Sequence, residues 1–461
     1  MKSFSYYIFS YYILCAGTVC LMAGCSIYKP YSRPEMEVTV DSLYRDVEKS
    51  DTISIASIPW NRLFTDAYLQ DLITIGLRQN TDLRIARTKV EAAEAVLMKA
   101  QLSYLPSLSL TPEGGISHAA DQTVAKTYHL SASASWEIDL FGKLTNAKRE
   151  ARAALESSRA YEQAVHTRLI ATIAGSYYTL LMLDRQWDIS QHTLTNWAET
   201  EKVLEALKRA GKANDAAVLQ AKASRLALES SAVSILKSIR ETENSLCALL
   251  AVSPMNIERG TLEEQQFPDT LSIGLPIQLL ANRPDVRQAE WNLAQAYYAT
   301  NTTRAAFYPS ITLSGTAGWT NNAGGLVSNP GSWLFNAIGA LVQPLFNKGI
   351  NISNLRQAKA RQEETLLLFQ QSLLNAGKEV NNALTQWQTA NLRLEYDKQQ
   401  IVTLQEAVRK TELLMRHSST NYLEVLTMRQ NLLEAELTQV QNKLEKIQGV
   451  INLYHAVGGG L

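Results

Sequence analysis

In the stretch YHLSASASWEIDL, Tyr128, Leu130, Ala132, Ala134, Trp136, Ile138 and Leu140 alternate with His129, Ser131, Ser133, Ser135, Glu137 and Asp139. A period of two places apolar side chains on one face and polar ones on the other, and predicts a strand. SLSLTPEGGIS, after Pro106, reads as its hairpin partner. SITLSGTAGWT after Pro309 and SWLFNAIGALVQPLF from Ser332 repeat the pair, with NNAGGLVSNPG between them. Elsewhere the period changes. Leu228, Ala232, Ile235, Ile239, Thr242, Leu246 and Leu249 alternate steps of four and three, as do Leu433, Leu437, Val440, Leu444, Ile447, Ile451 and Tyr454. That is the spacing of a coiled-coil packing seam. From Gly142 to about Gln186 there is no proline and only Gly175 as an internal glycine, which predicts a helix on the order of 65 Å long at about 1.5 Å per residue. Gly211, in KRAGKAND, reads as a helix break. Gly142 and Gly349 follow the two LF blocks where strand passes to helix, and glycine there permits a sharp change of direction.

The pattern is duplicated. LRIARTKVEAAEAVLMKAQLSYLPSLSL from Leu83 aligns with VRQAEWNLAQAYYATNTTRAAFYPSITL from Val286, DLFGK at Asp139 answers PLFNK at Pro344, and NDAAVLQ at Asn214 answers NYLEVLT at Asn421. Residues 60–255 and 281–461 are therefore read as two repeats, each helix, strand, strand, helix, helix, joined by a linker at 256–280. Four amphipathic strands are too few to close a membrane barrel, since known barrels start at about eight. The strands must be shared between chains, and a dimer, a trimer or a tetramer would each suffice.

Near the start, Lys2 precedes an apolar stretch from Tyr6 to Met22, then Ala23, Gly24 and Cys25. A positive residue, an apolar run and small residues before a cleavage point describe a secretory signal at 1–24. Leu21-Met22-Ala23-Gly24-Cys25 resembles the bacterial lipobox, with Met22 where Leu is more usual. That implies a lipid on Cys25, a lipidated linker over 25–59, and routing to the outer membrane by Ser26 at the next position. Cys15 and Cys20 then leave with the signal, so no disulfide is expected, and Cys247 on an apolar helix face reads as core. The most apolar later run, LIATIAGSYYTLLML, is too short and mixed to span a membrane.

Charge adds an exclusion. Lys plus Arg and Asp plus Glu number 44 each, so no excess calls for nucleic acid. HExxH, paired CxxC, GxxxxGK and GxSxG in a strand-turn-helix setting are all lacking, and the 6 histidines do not pair at ligand spacing. Neither an enzyme, a metal site nor a bound cofactor, beyond the lipid, is expected.

WNRLFTDAYLQDLITIGLRQNTDLRIA, YLPSLSL, WEIDLFGK, ANRPDVRQAEWNLAQA, FYPSITLSGTAGW, QPLFNKG and LYHAVGGGL together resemble the outer membrane efflux proteins of the TolC and OprM type, in their lipoprotein branch. The resemblance implies an α+β membrane protein: a homotrimer whose twelve strands form one outer-membrane β-barrel, continuous with a long α-helical periplasmic barrel. It implies outer-membrane lipid around the strands, a periplasmic adaptor and an inner-membrane pump as partners, and passive conduction of drugs, toxic compounds or metal ions. An exit duct for ATP-driven protein secretion is the neighbouring alternative, and a lipid-anchored scaffold or adhesin without a pore is the alternative of another class. The duplicated plan places helix reversals near Leu183 to Ile189 and Thr389 to Gln399. At the second, the resemblance implies a periplasmic gate with Leu394 as an apolar ring and Arg393, Tyr396 and Asp397 as links. Gly211 would mark an equatorial region or adaptor contact.

Overall fold

The computed structural model describes residues 28–34, 43, 54–118, 124–267, 282–321, 332–416 and 422–460. The signal segment 1–24, Cys25 and the His417–Thr420 stretch lie outside the described residues. After a single turn at Trp60–Leu63 the chain forms α1 (Ala67–Gln79), α2 (Thr81–Leu102), β1 (Ser107–Ser117), β2 (Ala125–Ile138), α3 (Lys143–Arg209) and α4 (Asp215–Leu250). Then come α5 (Pro284–Ala305), β3 (Ser310–Asn321), β4 (Ser332–Val342), α6 (Ile350–Arg416) and α7 (Tyr422–Ala456). The order helix, strand, strand, helix, helix recurs.

Helices α3 and α6 are each 67 residues long and unbroken. The reversals expected near Leu183–Ile189 and Thr389–Gln399 are therefore corrected: both segments are helical throughout. Neither holds a proline, a glycine or a cap, and Leu183, Ile189 and Ala390 are buried, so the packing face simply continues. The first reversal comes instead at 210–214. There Gly211 takes a φ of 71°, a left-handed conformation that glycine enters at little cost, and the Asn214 side chain accepts from Ala217 N at 3.0 Å to start α4.

The chain divides into two compact units. One gathers Glu91–Glu156 and Glu290–Leu367 with the N-terminal residues, and its centre is an antiparallel sheet in the order β1-β2-β3-β4. On α5, the N-terminal residues are held by a two-pronged ion pair from Arg33 to Glu290, both contacts at 2.8 Å. Tyr31 N also donates to the Tyr298 hydroxyl at 3.1 Å.

The other unit gathers Met36–Val90, Ser157–Ala289 and Leu368–Leu461 in their described residues. Its core holds Ile170, Ile173, Leu180 and Leu181 of α3 with an aromatic group, Phe64, Tyr177, Tyr178 and Tyr454, all almost fully buried. Asp66 caps α1 by accepting from Tyr68 N at 2.9 Å, while its other oxygen accepts from the Tyr177 hydroxyl at 2.7 Å. In α4 and α7 the predicted seams are real packing seams: Leu228, Ala232, Ile239 and Leu246, and Leu433, Val440, Leu444, Ile447 and Ile451, are buried. Cys247 is buried and free. Two arginines tie distant segments of this unit. Arg259 pairs with Asp184 at 2.5 Å and Glu243 at 2.7 Å, and the hydrogen bond to Asp184 holds the guanidinium firmly in its charged form despite burial. Arg283, of the NRPD stretch, pairs with Asp285 at 2.5 Å and Glu379 at 2.8 Å and donates to the Ala456 carbonyl at 3.0 Å.

Candidate functional site

The sheet of the first unit carries the clearest functional geometry. Its register lines up Leu110, Ala132, Ala317 and Phe335 in one row, and Ser109, Ser133, Thr316 and Asn336 in the next. Because side chains alternate along each strand, one face is apolar and the other is largely hydroxyl-lined. The apolar face is bare: Leu108 and Phe335 are each 80% exposed. Strand β4 departs from the rule, with Leu334, Ile338 and Val342 on the polar side as well. Trp136 lies near one end of the apolar face, and Trp319 and Trp333 pack together at the other with ring centres 4.5 Å apart. Trp136 is paired with Leu313, six residues from Trp319 along β3, so the band between the tryptophans is about 20 Å tall at roughly 3.3 Å per residue. The outer edges of β1 and β4 have no strand beside them among the described residues. Among the described residues, no helix is long and apolar enough to cross a membrane.

Both strand-to-helix junctions turn on glycine. Gly142 has a φ of 70° and Gly349 one of 79°, each in the residue before its long helix. At the first, the Asp139 carboxylate accepts from Leu144 N at 2.9 Å and Thr145 N at 2.8 Å, capping α3, and Phe141 stacks on Tyr308 with centroids 5.0 Å apart. The second repeat has Pro344 where the first has Asp139, and its Leu345 and Phe346 are exposed.

The four residues expected at a gate stand within α6, in the second unit, and the structure gives them two different settings. Arg393 and Asp397, one turn apart, both reach α7: Arg393 pairs with Glu445 at 2.8 Å, and Asp397, buried, accepts from Asn442 at 2.6 Å. Tyr396 is 70% exposed, and Leu394 lines a cleft between α3, α6 and α7. The α6–α7 pair is tied further along by Gln386 with Asn452 at 3.0 Å and by Glu412 with Arg429 at 2.6 Å. Arg429 also donates to the Asn196 carbonyl at 2.9 Å and the Thr200 hydroxyl at 2.6 Å on α3. Sequence reasoning missed Asn442, Glu445 and Arg429 as partners. None carried a sequence signal: Asn442 sits among the polar residues of TQVQNKLEK, where nothing marks it as buried. Gly211 stands at the α3–α4 reversal, the helix break read from the sequence.

The sequence profile of the outer membrane efflux protein family matches residues 72–252 and 275–459. The cation efflux system protein CusC of Escherichia coli K12 is 30% identical over 448 residues, covering 95% of this chain and 97% of its own. The antibiotic efflux pump outer membrane protein ArpC of Pseudomonas putida is 27% identical over 464 residues, covering 96% and 94%. The solved open state of the MtrE outer membrane channel of Neisseria gonorrhoeae matches with a TM-score of 0.84 at 27% identity, covering 95% of this chain and 99% of that one. With both halves matched and a relative 30% identical along nearly its whole length, the chain belongs to the outer membrane efflux protein family, and it is a component of export rather than an enzyme.

Proposed function

We propose that the chain is the outer-membrane channel of a tripartite efflux pump. Three copies join β4 of one to β1 of the next, closing twelve strands into one barrel. The observation that carries this reading is the sheet itself: one bare apolar face, one largely polar face, and two edges unpaired among the described residues. Exposed edges invite pairing with another chain, and in a membrane every backbone donor and acceptor must be satisfied. Edge-to-edge closure removes both problems, and turns the apolar face to lipid and the polar face to a water-filled lumen. The tryptophans at the two ends of the band suit the two membrane interfaces.

Transport through such a duct is passive. The inner-membrane pump supplies the energy and a periplasmic adaptor joins the two, with the reversal at Gly211 as the adaptor contact. CusC carries cation efflux in its name and ArpC antibiotic efflux, at near-equal likeness to this chain, which supports a duct that leaves cargo choice to the pump. Leu394 forms the constriction and the exposed Tyr396 a link to the neighbouring copy, while Arg393 and Asp397 brace α6 against α7 beside it. A lipid on Cys25 routes the chain to the outer membrane.

Reconstitution in a planar bilayer tests the channel. Discrete conductance steps from the purified protein are expected, with larger or longer openings after Leu394→Ala or Tyr396→Ala. A protein that inserts but conducts nothing, in wild type and in both variants, would rule the channel out.

A further inference from the structure

The cleft between α3, α6 and α7 encloses about 1010 Å³ and lies wholly within the second unit. That is at the upper end of the range typical of small-molecule sites, roughly 300–1,000 Å³. Its floor is apolar, with Trp197, Leu433 and Val440 nearly sealed from solvent. Its charges do not balance locally. Arg185 is matched by Glu263 at 3.0 Å, Lys398 by Glu395 at 2.8 Å and Arg429 by Glu412 at 2.6 Å. Lys443 and Lys446, on one face of α7, make no ion pair among the described residues. Glu263 pulls on Lys443 and Glu395 on Lys446 without pairing with them, and the remaining acid, Glu436, sits seven residues back from Lys443 on α7, about 10 Å along the helix axis, within reach of the Arg185 charge.

We propose that this cleft binds an amphiphilic anion, its charged end held by Arg185, Lys443 and Lys446 and its apolar body laid along Ile189, Leu433 and Val440. The anionic end is favoured by the lysines: a neutral guest would leave them without a direct ion-pair partner, and a cation would add to the repulsion. The protonation tendencies agree. Burial lowers the Lys443 pKa, and the nearby Arg185 and Lys446 charges press the same way against the pull of Glu263, so an arriving anion stabilises the charged form. Burial raises the Glu436 carboxyl against the opposing pull of Arg185 and a hydrogen bond from Gln405. The apolar body is required by the floor, which a small hydrated ion would leave wet. With Arg185 on α3 and both lysines on α7, the guest links two helices.

The full chain, purified in a neutral maltoside detergent, can be titrated calorimetrically with decanoate, with decanol as the uncharged match and with inorganic phosphate as the headgroup alone. Saturable decanoate binding at one site per chain is expected, with decanol and phosphate each at least about tenfold weaker. Lys443→Met combined with Lys446→Met should weaken decanoate about tenfold or more, at unchanged oligomer size and melting temperature. Should the double variant misfold, Lys446→Gln alone serves, with a smaller loss. Absence of saturable decanoate binding, equal binding of decanol or phosphate, or decanoate binding indifferent to the lysines would each overturn the proposal.

Discussion

Asn442 donates to the Asp397 carboxylate at 2.6 Å across the α6–α7 seam, with both side chains almost sealed from solvent. The Asn442 Oδ1 atom finds no partner among the described residues. The pair is thus a polar contact with little reserve. Asp397→Ala should leave the Asn442 amide buried and unsatisfied, and destabilise the fold by about 1–3 kcal/mol. Replacing both, as Asp397→Leu with Asn442→Leu, should cost much less, because no polar group is then stranded. Arg393→Ala, which removes a half-exposed pair, should cost about 1 kcal/mol or less. Denaturant unfolding of the three variants ranks them, and a double variant as damaged as Asp397→Ala would refute the account.

Acid should loosen the second unit through its histidines. Burial lowers the pKa of His455, which faces Arg283, Asp285, Glu379 and Arg168, and that of His166, whose ring lies 3.1 Å from the Gly460 carbonyl. A histidine whose folded pKa lies below its unfolded value, about 6.5, stabilises the fold above that pH and loses the contribution as pH falls through it. The melting temperature should therefore decline from about pH 7 toward pH 5. His455→Gln should flatten that slope, which for one proton approaches about 1.4 kcal/mol per pH unit. An unchanged slope in His455→Gln would assign the acid sensitivity elsewhere.

The junction glycines should respond alike to substitution. At Gly142 an added Cβ would meet nothing closer than 3.4 Å, and at Gly349 nothing within 4 Å, so the penalty at both is conformational rather than steric. Gly142→Ala and Gly349→Ala should each cost about 1–2 kcal/mol, the price of a left-handed residue with a side chain. Gly318→Ala is the contrast, because its Cβ would lie 2.1 Å from the Leu130 carbonyl oxygen inside the sheet. That variant should abolish assembly of the sheet, read as loss of strand signal in circular dichroism and of the proposed three-copy assembly on native gels.

These outcomes follow the division between what could and could not be read along the chain. The alternation in YHLSASASWEIDL specified β2, and the glycines at 142, 211 and 349 marked changes of direction, because period and backbone freedom are local properties. The length of α3 and α6 was not local. A helix held by packing carries no internal marker of its end, and Gly175 passes mid-helix with nothing within 4 Å of its Cβ position. Inferring reversals from the duplicated plan therefore failed where reading the glycine at 211 succeeded. Partnerships such as Arg33 with Glu290, or Arg283 with Glu379, join residues far apart in sequence, and no periodicity points from one to the other.

Loss of the Cys25 thiol should act on delivery more than on conduction. Cys25→Ser should lower the amount of outer-membrane oligomer several-fold while single-channel conductance is unchanged, since one or two acyl chains add modest anchoring beside a barrel. Mass spectrometry of the mature N-terminal peptide checks the lipid directly. A variant that accumulates at the wild-type level would make the lipid dispensable.

The open edges of β1 and β4 give each sheet two valences, like a monomer in a polymerisation that ends only when the last free edge meets the first. In the proposed ring each chain completes its strand hydrogen bonding only with its neighbours, so its folding yield should depend on how many copies are present together. A copy with one spoiled edge would still be accepted by a sound neighbour and would then stop the ring from closing. Damage at these edges should therefore be dominant, harming intact copies made in the same cell, whereas damage in the helical core should be recessive.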